Sequence, residues 1–183
     1  MSAAVLVIGD VITDIIVIPE GPVVRGSDRR AKIRQRPGGS AANQAAWLAS
    51  LGAPVKFVAR VAAADVEPNA AYFRERGIEP FLAADPEAPS GVLISIVDAD
   101  GERSFLTDRG ANVALSHSDM PVWLLDDCRL VVTSGYSLFS DTAREAVRWF
   151  MAQAQRREVP VAVDAASVGF LEEVTAKRFL DWT

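Results

Sequence analysis

Three short stretches of this sequence combine residue types that can hold a polar small molecule. The first is Gly9-Asp10-Val11-Ile12-Thr13-Asp14, which directly follows an apolar run. A carboxylate accepts hydrogen bonds from vicinal hydroxyls, a common way to hold a polyol. The same two aspartates also suit the capping of a turn. The second stretch is Pro37-Gly38-Gly39-Ser40-Ala41-Ala42-Asn43-Gln44-Ala45. Two glycines before a helix let the backbone approach a ligand closely. The first turn of the helix offers free N–H groups and a partial positive charge. Asn43 in that turn can both donate and accept. A glycine turn with Ser40 as an ordinary N-cap fits the same residues. The third stretch joins Gly101-Glu102-Arg103 to Thr107-Asp108-Arg109-Gly110-Ala111-Asn112, which by itself reads as a hairpin and a loop.

Other chemistries find no support. The lysines are Lys32, Lys56 and Lys177, and none stands in a Gly-x-x-x-x-Gly-Lys-Ser/Thr loop. No Gly-x-Gly-x-x-Gly follows the first apolar run, so a nicotinamide cofactor is not indicated. His117 and Cys128 are single, which argues against a transition-metal site and leaves a serine nucleophile one candidate base. Asp98-x-Asp100-Gly101 resembles a calcium loop, but an Asp-Gly hairpin turn explains it. The net charge of −5 and the pI of about 4.9 oppose binding to a phosphate backbone. A lone cysteine permits no internal disulfide, which fits a reducing, cytoplasmic setting.

The elements that must position these residues follow from periodicity. Ala4–Ile8 is a continuous apolar run, the pattern of a strand covered on both faces. Ile15–Ile18 reads as a second buried strand. Asp10 and Asp14 interrupt the apolar segment and no positive region precedes it, so neither a signal peptide nor a membrane span is expected. Arg29–Arg36 alternates: Ala31 and Ile33 face one way, and Arg30, Lys32, Arg34 and Arg36 the other. A strand with one basic face belongs outside a parallel core. Helices are expected at Ala41–Leu51, Asn69–Arg76, Asp141–Arg157 and Leu171–Leu180. Further strands are expected at Val55–Val61, Val92–Val97, Arg103–Thr107, Leu130–Ser134 and Pro160–Asp164. This alternation argues for a parallel α/β sheet with an antiparallel flap.

In this order the pieces resemble the ribokinase-like (PfkB-type) carbohydrate kinase family. The landmarks are Gly9 and Asp14, the Gly38-Gly39-Ser40-Ala41-Ala42-Asn43 loop and helix, Gly52-Ala53, Ser90-Gly91-Val92, Gly101-Glu102, Gly110-Ala111-Asn112 and Ser134-Gly135-Tyr136. The resemblance implies a Rossmann-like, mostly parallel sheet with a small antiparallel β lid. Residues 1–183 would form one incomplete domain, with lid segments at about 14–36 and 90–109 and the C-terminal part of the fold missing. It implies substrate contacts by Asp14, Gly38, Gly39, Ser40, Asn43, Arg109 and Asn112. Ser40 takes a position that is lysine in some relatives, and Ile12 one that is polar in some. Val61-Ala62-Ala63-Ala64-Asp65 departs from the family's usual Val-Gly and acidic residues.

The implied reaction moves the ATP γ-phosphoryl group to a sugar hydroxyl, with Mg²⁺ as cofactor. The family's later Asn-x-x-Glu and Gly-Ala-Gly-Asp elements, linked to magnesium, the anion hole and the general base, do not occur within these residues. No catalytic residue, metal ligand or ATP motif is therefore assigned here, and the 183 residues alone are expected to be inactive. The expected partner is a small sugar or polyol, with lid-to-lid pairing of two chains and no nucleic acid or membrane. A nucleoside kinase of the same family is the alternative, as is a non-catalytic sugar-binding or dimerisation module. If Arg34, Arg36 and Arg109 face the pocket, an anionic substrate is implied; otherwise they are solvated lid residues.

Overall fold

The computed structural model describes residues 3–183. Its core is a sheet of five parallel strands in the order β5-β4-β1-β8-β9. These are β1 Ala4–Ile8, β4 Val55–Ala62, β5 Ile78–Asp85, β8 Cys128–Ser134 and β9 Val161–Asp164. β1 is central and every residue in it is buried, which explains its unbroken apolar run.

Successive side chains of β1 feed two cores. Val5 and Val7 pack with Ala41, Ala45, Phe57 and Phe73 beneath helices α1 Ser40–Ser50 and α2 Val66–Arg74. Leu6 and Ile8 pack on the other face with Ala146, Val147 and Phe150 of α3 Asp141–Arg156. Helices α4 Val168–Val174 and α5 Ala176–Leu180 end the chain.

A separate four-stranded sheet has the order β3-β2-β6-β7. It comprises β2 Ile12–Pro19, β3 Ala31–Gly38, β6 Gly91–Val97 and β7 Arg103–Asp108. The β2–β3 and β6–β7 pairs are antiparallel hairpins, as the alternation predicts. The central β2–β6 pair is parallel, so the sheet as a whole is mixed. The reason is topological: β2 and β6 are joined through the core, and such a crossover can bring strands together in parallel. The Ile15–Ile18 run is not a second core strand. It lies in this small sheet, half-buried at Ile15 to Val17 and exposed at Ile18.

One strand and two helices depart most from the sequence reading. β5 was not expected, because Pro80 argues against a sheet interior; it is tolerated because β5 is the sheet edge, paired only with β4. α2 begins at Val66, ahead of Asn69, because Pro68 falls in the first turn, where no intrahelical N–H bond is lost. The helix expected over Leu171–Leu180 is broken at Thr175 (φ 71°), whose hydroxyl accepts from the Arg178 N–H and starts α5 anew. In the Asp98–Gly101 turn, the Asp98 carboxylate accepts from the N–H groups of Asp100 and Glu102 at 3.0 and 2.9 Å.

Candidate functional site

The carboxyl end of β1 and the N-terminus of α1 meet the small sheet across a cleft of about 510 Å³. Ligands of open α/β sheets bind at this end of the strands. Core residues Asp10, Gly39, Ser40, Asn43 and Arg109 line the cleft, and Asp14, Leu93, Phe105 and Thr107 line it from the small sheet.

Asp10 is the hinge of the arrangement. It is 2% exposed, and its carboxylate accepts from the N–H groups of Ser40 (3.0 Å) and Ala41 (3.2 Å). Its carbonyl accepts from Ala42 N–H at 3.3 Å. A carboxylate at a helix N-terminus satisfies orphan donors and complements the helix dipole. The first-turn N–H groups expected to be free for a ligand are therefore occupied by Asp10. Ser40 is not the N-cap either. Gly39 holds that position at φ 103°, and a Cβ there would lie 2.5 Å from the Asp10 carbonyl oxygen, so glycine is required.

Asp14 enters the cleft from β2. Burial raises its carboxyl pKa above the ordinary 3.8, the Asp10 charge raises it further, and among the described residues no hydrogen bond offsets them. A group in that state gains when a ligand's hydroxyls donate to it. Gly38 is buried behind it, and a Cβ on Gly38 would collide with the Asp14 carboxylate. Gly38 thus makes room for Asp14 and is absent from the cleft lining.

Ser40 and Asn43 both line the cleft, with Asn43 exposed. The Ser40 hydroxyl donates to Asp164 at the end of β9 (3.2 Å), and Gln44 donates to the same carboxylate at 3.2 Å. Arg109 points its guanidinium over the Tyr136 ring, 5.1 Å from the centroid. Burial lowers its pKa, against the raising influence of the Asp10 charge.

Asn112 is the expected contact that the structure places elsewhere. It is 7% exposed, accepts from Val11 N–H at 2.9 Å, and donates to Val11 O and Arg109 O at 2.9 and 2.8 Å. Both ends of its amide hold Val11, in the loop between Asp10 and Ile12, and both amide N–H groups are engaged by backbone carbonyls. Arg34 and Arg36 lie opposite Ile16 and Asp14 in the β2–β3 register, so they share the cleft-facing side of the sheet, but they are exposed and outside the lining.

Sequence reasoning missed Leu93, Phe105, Ser167 and Phe170. The signal for Phe105 lay in alternation, since Leu93 pairs with Thr107 and Ser95 with Phe105, on the face that carries Asp14. Ser167 and Phe170 come from a loop and a short helix that no pattern places near β1.

The family pattern "pfkB family carbohydrate kinase" matches residues 2–176 of this chain. The chain belongs to that family. The aminoimidazole riboside kinase of Salmonella typhimurium is 33% identical over 121 residues, which are 64% of this chain and 35% of that protein. The fold is that of a fructokinase with bound ATP from Xylella fastidiosa (TM-score 0.79, 22% identity), covering 100% of this chain and 58% of that one. It is also that of an adenosine kinase from Sinorhizobium meliloti (TM-score 0.78, 23% identity), covering 99% and 62%. This pfkB-family chain thus spans less than two thirds of the length of these relatives.

ATP and magnesium are implied by the family. Among the described residues no group of three or more His, Cys, Asp or Glu side chains is placed to hold a metal ion. In the cleft, Asp10 is already committed to α1 and only Asp14 remains, so the residues present do not fit a magnesium site. No helix of the described residues is long and apolar enough to cross a membrane.

Proposed function

We propose that this chain forms the acceptor-binding part of an ATP-dependent kinase that phosphorylates a hydroxyl of a sugar. The observation that carries the reading is Asp14. It is a half-buried carboxylate with a raised pKa and, among the described residues, no hydrogen-bond donor, held in a cleft beside Asn43 and the Gly39 backbone. Vicinal hydroxyls of a sugar would supply the missing donors, while Asn43 could accept from or donate to a third. Family membership and kinase relatives named for fructose and for ribosides support a hydroxyl acceptor.

The small sheet acts in this reading as a lid. Its other face is mostly apolar: Ile15, Val17, Ile33, Ile94 and Leu106 alternate away from Asp14, with Ile33 62% and Leu106 61% exposed, and Gln35 and Ser104 share the face. That face suits pairing with the lid of a second copy. The lone Cys128 suits a cytoplasmic setting.

The proposal gives these residues binding, not phosphoryl transfer. Without the family's later elements, mixing the 183-residue chain with ATP, Mg²⁺ and sugar is expected to yield only background phosphorylation, since a general base alone is worth about 10²–10⁴-fold. Turnover clearly above a no-protein control would contradict this. The acceptor reading itself is tested by calorimetric titration of neutral monosaccharides into the protein and into Asp14→Asn. Loss of a charged hydrogen-bond partner is expected to weaken binding by about 10-fold to 150-fold. Equal affinities for the two proteins would remove Asp14 from the site.

A further inference from the structure

The cleft has two chemically different ends. At one end lie the row Asp14, Leu93 and Thr107 and the α1 terminus. One pleat away, about 7 Å along the strands, the next row on the same face is Ile16, Ser95 and Phe105. Phe105 is 53% exposed although it faces the cleft. From the core side Tyr136 and Phe170 line the same cavity, with ring centroids 5.7 Å apart and planes at 89°. The Arg109 guanidinium lies over Tyr136, 5.1 Å from the ring centroid, and among the described residues no carboxylate forms an ion pair with it.

A monosaccharide alone, hydroxylated all round, leaves this second end unused. An exposed phenyl ring, two further ring surfaces and a planar cation together match a flat, unsaturated group: its faces stack on the rings, and its ring nitrogens or carbonyls accept from the guanidinium. We infer that the acceptor is a sugar bearing a planar heterocycle, a compound of the nucleoside class, with its hydroxyls at Asp14 and its base between Phe105 and the Tyr136–Phe170–Arg109 wall. This rests on the acceptor reading above and assigns its substrate class.

The test is a set of equilibrium titrations of the protein with D-ribose, the neutral riboside inosine, and gluconate as a sugar acid. Stacking of one base is expected to make inosine bind about 5-fold to 150-fold tighter than ribose. Phe105→Ala, at an exposed position that need not disturb folding, is expected to shrink that ratio. Inosine binding no tighter than ribose overturns the inference but leaves the sugar-acceptor reading standing, as does a ratio unchanged in Phe105→Ala. Gluconate binding tighter than inosine also overturns it, because Arg109 would then serve an anion. Failure of all three ligands to bind overturns both readings.

Discussion

Asp14 sits in its cleft at a cost to the folded state, and that cost gives it a pH signature. Its folded pKa is raised above 3.8, so between that value and the folded pKa the folded protein binds more protons than the unfolded chain. Its contribution to stability therefore falls as pH rises through that window and stays unfavourable at neutral pH. Asp14→Asn is expected to melt at the same temperature as the native protein or higher at neutral pH, with the gain vanishing below the ordinary carboxyl pKa. A clear drop in Tm at neutral pH would mean that Asp14 is bound within the protein. Sugar affinity should move the other way, weakening on acidification as Asp14 takes up its proton. Asn112 is the contrasting case, a polar residue that binds only protein. Asn112→Ala would strand the buried N–H and carbonyl of Val11 and is expected to cost about 1–3 kcal/mol in denaturant unfolding. A loss of sugar affinity without loss of stability would return Asn112 to the ligand.

At the scale of elements, what the sequence displays depends on whether the determining contacts are local. β1, α1 and α3 were legible because continuous burial and 3.6-residue spacing are properties of the segment itself. The basic face of β3 marked it as lying outside the core. β5 was hidden by Pro80, which only edge position excuses. The parallel β2–β6 pairing was hidden because it joins strands nearly 80 residues apart, and no hairpin turn signals it. The lining of the cleft divides the same way. Asp14, Gly39, Ser40 and Asn43 were legible from glycines and polar residues beside an apolar strand. Phe105 and Phe170 were not, since an aromatic residue reads as core until the fold shows it facing a cavity. The apolar outer face of the small sheet carries its own prediction. If it pairs two copies, sedimentation should find a dimer, and Leu106→Asp should shift the protein to monomer while leaving its fold intact. A native protein that stays monomeric at high concentration would exclude this interface.

The whole molecule is two sheets interleaved along one chain. β2 and β3 are inserted between β1 and α1, and β6 and β7 follow β5, so both small-sheet hairpins spring from the carboxyl ends of core strands. That wiring places Asp14, Leu93 and Thr107 opposite the start of α1 and makes the cleft a consequence of topology. The proposed function puts a sugar's hydroxyls against Asp14 in this cleft. A crystal structure of the protein soaked with D-ribose tests it most directly. Sugar hydroxyls are expected at hydrogen-bonding distance from the Asp14 carboxylate, about 2.5–3.0 Å, with Asn43 as a second partner. Ribose bound at another place, or in this cleft with Asp14 turned away from its hydroxyls, would contradict it.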